Sequence, residues 1–122
     1  MTPRFSASRW SQQATALGAT VTSLFAAPRR MILAADPSPY DRAHRLRSGT
    51  FAQNLSASQL AEFEQRFGVP MIELYGMTET AAPVTMGPLY EDRRPHSIGR
   101  PLPCASLRIV DADGADGAET GT

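Results

Sequence analysis

The residues best suited to chemistry in this sequence stand together in the run Tyr75-Gly76-Met77-Thr78-Glu79-Thr80. An aromatic ring offers a face to a planar base, and a glycine lets a ligand approach the backbone closely. The Thr78 hydroxyl can donate a hydrogen bond, and the Glu79 carboxylate is a hard oxygen ligand of the kind that Mg²⁺ prefers. The order of these side chains therefore suits a nucleotide phosphate with its metal ion.

The same run also fits a purely structural interpretation. Thr is a common cap at the start of a helical turn, and Glu in a first turn interacts favourably with the helix dipole. From these residue types alone, a turn and a ligand site both remain open. The helices and strands on either side of the run help to decide between these two interpretations, because ligands of open parallel sheets bind beyond the carboxyl ends of the strands.

The first structural unit is predicted to be a helix from Phe5 to Gly18 followed by a strand from Thr20 to Phe25. The strand is dense in β-branched and apolar residues, and Pro28 then opens a short helical segment. The apolar face of the first helix carries three residues at spacings of four and three, namely Trp10, Ala14 and Leu17.

The second unit repeats this order and leads into the candidate site. Ser56 and Gln59 form a capping-box pattern at a helix start, and Gly68 suits the left-handed residue beyond the helix end. A buried strand is predicted at Met71 to Tyr75 and a shorter one near Arg47 to Phe51. The apolar stripe of this helix comprises Leu60, Phe63 and Phe67.

The later part of the chain has a different character. Prolines break residues 80–103 into predicted loops, and Leu107 to Val110 is predicted to be one last strand. The fold class that follows is α/β: a partial parallel sheet with crossover helices and a loop-rich, β-containing carboxyl-terminal part.

Other polar residues are predicted to have structural or surface roles. His44 and His96 lie far apart in sequence among charged neighbours, which is typical of surface histidines. Glu62 and Arg66 are spaced for an ion pair on the exposed side of the second helix. Cys104 has no base nearby in the sequence and is interpreted as a small packed residue.

Composition limits the possible partners. The chain has 122 residues and a formal net charge of zero, so we expect a single domain without the positive field that attracts nucleic acid. All 12 basic residues are Arg, so any chemistry that needs a lysine must find it elsewhere. The single cysteine predicts a reducing, cytoplasmic location, and no apolar run is long enough for a transmembrane segment.

In this context the run from Tyr75 to Thr80 resembles a core motif of the adenylate-forming, or AMP-binding, superfamily of acyl-CoA synthetases. Further segments occur in the order that this family shows, and they cover nearly the whole chain: residues 5–8, 19–22, 54–56, 63–69 and 97–101. Within the superfamily, the sequence is most similar to crotonobetaine/carnitine-CoA ligases.

The resemblance implies an activity. Such enzymes use ATP and Mg²⁺ to convert a small carboxylic acid to an acyl-adenylate, and the thiol of coenzyme A then displaces AMP. The implied fold is the α/β large domain of these enzymes, with residues 1–122 as one partial AMP-binding domain.

The resemblance also implies roles for individual residues. Tyr75 matches the aromatic that stacks on adenine, Thr78 matches the hydroxyl that binds the α-phosphate, and Glu79 matches the magnesium carboxylate. Gly76 and Met77 match the floor where nucleotide and acyl group meet. The segment Ala52-Gln53-Asn54 falls where many relatives carry a glycine-rich adenine loop, and it departs from that pattern by its bulkier side chains.

Two functional hypotheses follow from the motifs that are present and from those that are not. The phosphate loop with its Lys, the ribose-binding Asp and the lid with its catalytic Lys are not in these 122 residues, so we expect an internal ligase fragment that is inactive alone. Its partners would be ATP, coenzyme A, a small acid and the rest of the ligase. The alternative is a non-catalytic module that binds adenylate or a protein.

Overall fold

A computed structural model describes residues 4–52, 56–94 and 97–115. They form a five-stranded mixed sheet with three α-helices. In chain order, the elements are α1 (Trp10–Ala16), β1 (Val21–Phe25), α2 (Ala26–Ala34), β2 (Ser48–Ala52), α3 (Ala57–Phe67), β3 (Met71–Gly76), β4 (Pro83–Met86) and β5 (Arg100–Pro101). Short 3₁₀ turns precede α1 at Ala7–Arg9 and follow β3 at Thr78–Thr80.

The sheet has the order β1-β2-β3-β4-β5, and its first three strands are parallel, as predicted. Strands β4 and β5 run antiparallel to their neighbours, and they lie in the region predicted to be loops, so that prediction was wrong. The prolines are compatible with strands here because Pro83 is the first residue of β4 and Pro101 lies on the edge strand.

The strand predicted at Leu107 to Val110 is not formed. Only Val110 makes an isolated bridge, and the side chains of Leu107, Ile109 and Val110 are exposed. A β-branched, apolar sequence becomes a strand only where a neighbour accepts its hydrogen bonds and covers one face. None of the described strands pairs with this segment.

The ends of α3 form as the sequence predicts. The Ser56 hydroxyl accepts from the Gln59 N–H at 3.3 Å, and the Gln59 side chain accepts from the Ser56 N–H at 3.3 Å. Gly68 ends the helix in the left-handed conformation, with a φ of 69°. Since an L side chain is strained at that φ, glycine is required there.

The apolar core lies between the helices and one face of the sheet. Leu24, Phe51 and Met71 of adjacent strands contribute to it, and the Trp10 ring meets Phe63 and Phe67 edge-on. Leu17 does not contribute: α1 ends at Ala16 and leaves the Leu17 side chain 63% exposed, so its predicted place on the buried face was wrong.

An ion pair between Arg66 and Asp41 connects all three helices. The Arg66 Nε donates to Asp41 Oδ2 at 2.9 Å rather than to Glu62, so the predicted local pair is replaced by a long-range one. The other Arg66 nitrogens donate to the carbonyls of Leu33, Ala35 and Asp36 at the end of α2, at 2.8–3.0 Å. Asp41 Oδ1 in turn accepts from the Ser11 hydroxyl of α1 at 2.9 Å.

Replacing Arg66 with Gln is expected to lower the free energy of unfolding by about 2–4 kcal/mol, because the substitution leaves a nearly buried carboxylate and several carbonyls without their partner. Urea unfolding would measure this. The matched control is Glu91→Gln, which breaks the exposed Arg100–Glu91 pair and should change stability by less than about 0.5 kcal/mol. Equal losses in the two variants would contradict the central role of the pair.

The same ion pair predicts a loss of stability in acid. Burial raises the pKa of Asp41, but the hydrogen bonds from Arg66, Ser38 and Ser11 and the Arg66 charge outweigh it, so the pKa lies below its usual value. A depressed pKa stabilises the fold above the unfolded pKa of about 4, and that contribution disappears as pH falls through the folded pKa. Unfolding measured from pH 7 to pH 3 should therefore depend less on pH in Asp41→Asn than in the unaltered chain.

Candidate functional site

The three parallel strands bring their carboxyl ends to one edge of the sheet. Phe25 at the end of β1 lies beside Ala52 at the end of β2, and Phe51 lies beside Glu73 two residues before Tyr75. Ala52 and Tyr75 therefore lie at the carboxyl ends of neighbouring strands, at the same edge of the sheet. The ligand site was predicted at this edge from the sequence. Gln53 and Asn54, predicted together with Ala52, lie outside the described residues.

Gly76 is needed where β3 turns into β4. The ladder is irregular between Tyr75 and Gly76, and Gly76 lies opposite Pro83. A Cβ atom on Gly76 would lie 2.7 Å from the Pro83 Cα and 2.8 Å from the Ala82 carbonyl oxygen. Both are backbone atoms that cannot rotate aside, so the close return of the chain depends on the missing side chain.

Thr80, for which the sequence predicted no role, holds the turn between the two strands. Its hydroxyl accepts from the Met77 N–H at 2.9 Å and lies 2.8 Å from the carbonyl oxygens of Met77 and Ala82, to either of which it can donate. Ala81 then adopts a left-handed φ of 60°. The hydroxyl three residues after the turn start is the signal that predicts such a contact.

Thr78 and Glu79 are left available by this arrangement. Both are exposed, and within residues 4–52, 56–94 and 97–115 no group hydrogen-bonds to the Thr78 hydroxyl or pairs with the Glu79 carboxylate. The turn thus presents a donor and an anion side by side, one residue apart, beyond the end of β3.

Tyr75 and Met77 form an apolar surface next to these polar groups. The Tyr75 hydroxyl lies 3.6 Å from the Met77 sulfur, and the two side chains are 37% and 49% exposed. A half-exposed aromatic ring supported by a thioether can stack on a planar group. The run therefore combines a stacking face with a hydroxyl and a carboxylate, as its sequence suggested, while the binding role of each residue stays a prediction.

The side chains of this run can hold a Mg²⁺ ion only together with oxygen atoms from a bound ligand. The described residues contain no group of three or more His, Cys, Asp or Glu side chains that could hold a metal ion. Mg²⁺ is commonly bound by one or two carboxylates together with substrate phosphates and waters. The unpaired Glu79 carboxylate matches that mode.

The remaining candidates have other environments. His44 is half-buried against the Trp10 ring, and its Nδ1 accepts from the Leu46 N–H at 3.3 Å, so it is not the surface histidine that was predicted. Cys104 is exposed rather than packed. His96 lies outside the described residues.

A cavity of about 890 Å³ lies away from this loop. Helix α3, strand β3 and residues 87–94 and 97–100 contribute most of its lining, and none of residues 75–80 does. Its size is within the range of ligand pockets, but Arg93 at its wall is engaged by Glu64 at 2.8 Å and by the Met71 carbonyl. The cavity therefore does not coincide with the cluster of reactive groups.

The chain is an α/β domain whose aromatic, hydroxyl and carboxylate groups lie beyond a parallel strand, at the edge where ligands of open α/β sheets bind. Comparison with known proteins identifies the family within this class. The family model described as "AMP-binding enzyme" matches residues 1–122, and the chain belongs to this family.

The curated relatives are CoA ligases. The chain is 37% identical over 108 residues to the crotonobetaine/carnitine–CoA ligase of Shigella dysenteriae serotype 1, which covers 88% of this chain and 21% of that protein. The same enzyme from Shigella sonnei is 38% identical over 108 residues. The chain thus spans about a fifth of the length of these relatives.

Solved structures agree in fold. ATP-bound MatB from Rhodopseudomonas palustris is 25% identical, with a TM-score of 0.79 over 99% of this chain and 24% of that one. An anthranilate CoA ligase in complex with anthranoyl-AMP is 21% identical, with a TM-score of 0.76 over 97% of this chain and 23% of that one, and supports the fold. In the described part of the chain, no helix has the length and apolarity to cross a membrane.

Replacing Gly76 with Ala is expected to lower the free energy of unfolding by about 1–3 kcal/mol, because the new methyl group pushes β4 away from β3. Two-dimensional NMR of the Tyr75 and Thr85 amides, together with urea unfolding, would measure the change. Gly87→Ala is the control, since its Cβ would meet only ordinary contacts at 3.5 Å or more. If Gly76→Ala is no more harmful than Gly87→Ala, the close approach of the strands is not required.

Proposed function

We propose that this chain provides the adenylate-binding edge of an ATP-dependent acid-CoA ligase acting on a small carboxylic acid. In the first step, a carboxylate oxygen of the acid attacks the α-phosphorus of ATP and pyrophosphate leaves. In the second step, the sulfur of coenzyme A attacks the acyl carbon and AMP leaves with the bonding electrons. The observation that carries the proposal is the pair of unengaged side chains, Thr78 and Glu79, in the turn that follows Tyr75 at a parallel strand end.

The roles follow from the chemistry of each group. The Tyr75 ring stacks on adenine, and Ala52, with Gln53 and Asn54, borders the same base from the neighbouring strand end. The Thr78 hydroxyl donates to an oxygen of the α-phosphate, where negative charge develops during the attack. Gly76 and Met77 form the floor between nucleotide and acyl group.

Glu79 is the proposed magnesium ligand of this chain. When bound, Mg²⁺ neutralises charge on the phosphate oxygens. Glu79 follows Thr78 directly in the 3₁₀ turn, so the turn brings the proposed metal ligand and the hydrogen-bond donor to the same end of β3. A hydrogen-bond donor and a cation that are already in place need little reorganisation when charge develops.

The comparisons support the acid-CoA ligase reaction, and they do not identify the carboxylic acid that is its substrate. Relatives at 36–38% identity are named crotonobetaine/carnitine–CoA ligases, and MatB was solved with ATP. Because the chain corresponds to about a fifth of these proteins, we propose that it is inactive alone and works with further ligase segments in the cytoplasm.

A graft would test the proposal. The 122-residue chain alone, with ATP, Mg²⁺, coenzyme A and a panel of small acids, should form no acyl-CoA thioester. When it replaces the corresponding segment of a crotonobetaine/carnitine–CoA ligase, thioester formation should be retained. An active isolated chain would contradict the proposed inactivity, and a folded but inactive graft would favour the non-catalytic binding module.

Within the active graft, Glu79→Gln is expected to lower kcat/KM by about 10²-fold or more, because it removes one charged ligand from the metal in the transition state. Higher Mg²⁺ concentrations should recover part of that loss. Glu91→Gln, in an exposed loop, is the control and should retain full activity. An active Glu79→Gln graft with an unchanged Mg²⁺ requirement would exclude Glu79 as the metal ligand.

A further inference from the structure

A buried arginine in α2 has no place in the function described so far. The Arg29 side chain is completely buried, with 0% exposure. Its Nη1 donates to the Gln59 carbonyl oxygen at 3.1 Å, whereas its Nε and Nη2 have no acceptor among the described residues. Burying a guanidinium with so few acceptors is costly, so its position needs an explanation.

A series of contacts connects Arg29 with the end of β2 at the candidate site. Ala52 pairs with Phe25, and Phe25 immediately precedes α2. Arg29 in the first turns of α2 bonds to Gln59 in the first turn of α3. Gln59 holds Ser56 through the capping box, and Ser56 follows Ala52 by four positions.

We propose that Arg29 is a positioning residue for the adenine side of the site, an inference that rests on the proposed function. By tying the first turn of α3 to α2, the Arg29–Gln59 bond fixes the start of α3 relative to α2 and to the end of β2 that lies beside Phe25. Ala52 lies at the start of that connection, on the strand next to Tyr75. The Arg29–Gln59 contact then sets the distance between Ala52 and Tyr75 on the two sides of the adenine site, although it does not touch the nucleotide.

The charge environment of Arg29 distinguishes this role from ordinary stabilisation. Burial and repulsion from Arg30 lower the pKa of Arg29, and Glu62 opposes that shift. Apolar residues of similar volume often replace buried ions without loss of stability, or with a gain. If the side chain at this position only stabilised the fold, Met would give the same or a higher free energy of unfolding than Arg. If the side chain positions α3, Met cannot replace the bond that Arg29 makes to Gln59.

The experiment compares Arg29→Met with Arg30→Met in the 122-residue chain. Both changes remove one positive charge from α2, but Arg30 is exposed and no described group accepts from its side chain. In Arg29→Met, the Gln59 and Leu60 amides in the first turn of α3 should exchange hydrogen about tenfold faster. The Gly68 amide, which bonds to Glu64 at the other end of α3, should keep its rate, as should all three amides in Arg30→Met.

AMP binding is the second measurement, followed by NMR at the amides of residues 75–79. Arg29→Met should raise the Kd for AMP about tenfold, the change expected for one lost positioning contact, with no loss of global stability in urea. Arg30→Met should bind AMP as the unaltered chain does.

Two outcomes would overturn the inference, and a third would overturn the proposed nucleotide site. If Arg29→Met behaves like Arg30→Met in both measurements, Arg29 positions nothing. If exchange rises throughout the chain and AMP affinity falls only with the folded fraction, Arg29 is merely structural. An unaltered chain without AMP-dependent shifts would overturn the proposed nucleotide site instead, and the exchange rates of the Gln59 and Leu60 amides would still decide whether Arg29 fixes α3.

Discussion

The ion pair between Arg66 and Asp41 is the interaction on which the rest of the structure depends. The Arg66 guanidinium, in α3, donates to the Asp41 carboxylate, which also accepts from Ser11 of α1. The same guanidinium donates to carbonyl oxygens at the end of α2. Three helices are thereby fixed on one face of the sheet. Since α2 and α3 begin at the carboxyl ends of β1 and β2, the same contacts determine the edge at which a ligand would bind.

Within the candidate site, some residues build the turn and others remain for chemistry. Gly76 permits the return of β4, and the Thr80 hydroxyl closes the 3₁₀ turn with two backbone contacts. Because the Thr80 hydroxyl and the N–H groups of Thr80 and Ala81 make the bonds that close the turn, the side chains of Thr78 and Glu79 are not consumed by it. The motif can thus build the turn and still leave two side chains for a ligand, so the two interpretations left open by its residue types do not exclude each other.

Local signals in the sequence predicted local structure well. The capping box at Ser56, the glycine at the end of α3 and the strand β3 depend on neighbours within a few residues, and all three are found. Predictions that depended on distant partners were wrong: Arg66 pairs with Asp41 instead of Glu62, and β4 and β5 form in a proline-rich stretch. Spacing along the chain does not reveal which distant group offers a better partner.

Arg66 and Arg29 differ in how many acceptors the fold supplies to them. Arg66 is partly buried and almost fully supplied with acceptors, so it serves stability. Arg29 has a single described acceptor, and its burial opposes stability. A fold under selection for stability alone would exchange such a residue for an apolar one. Its bond to Gln59 at the start of α3 is consistent with the positioning role that we propose for it.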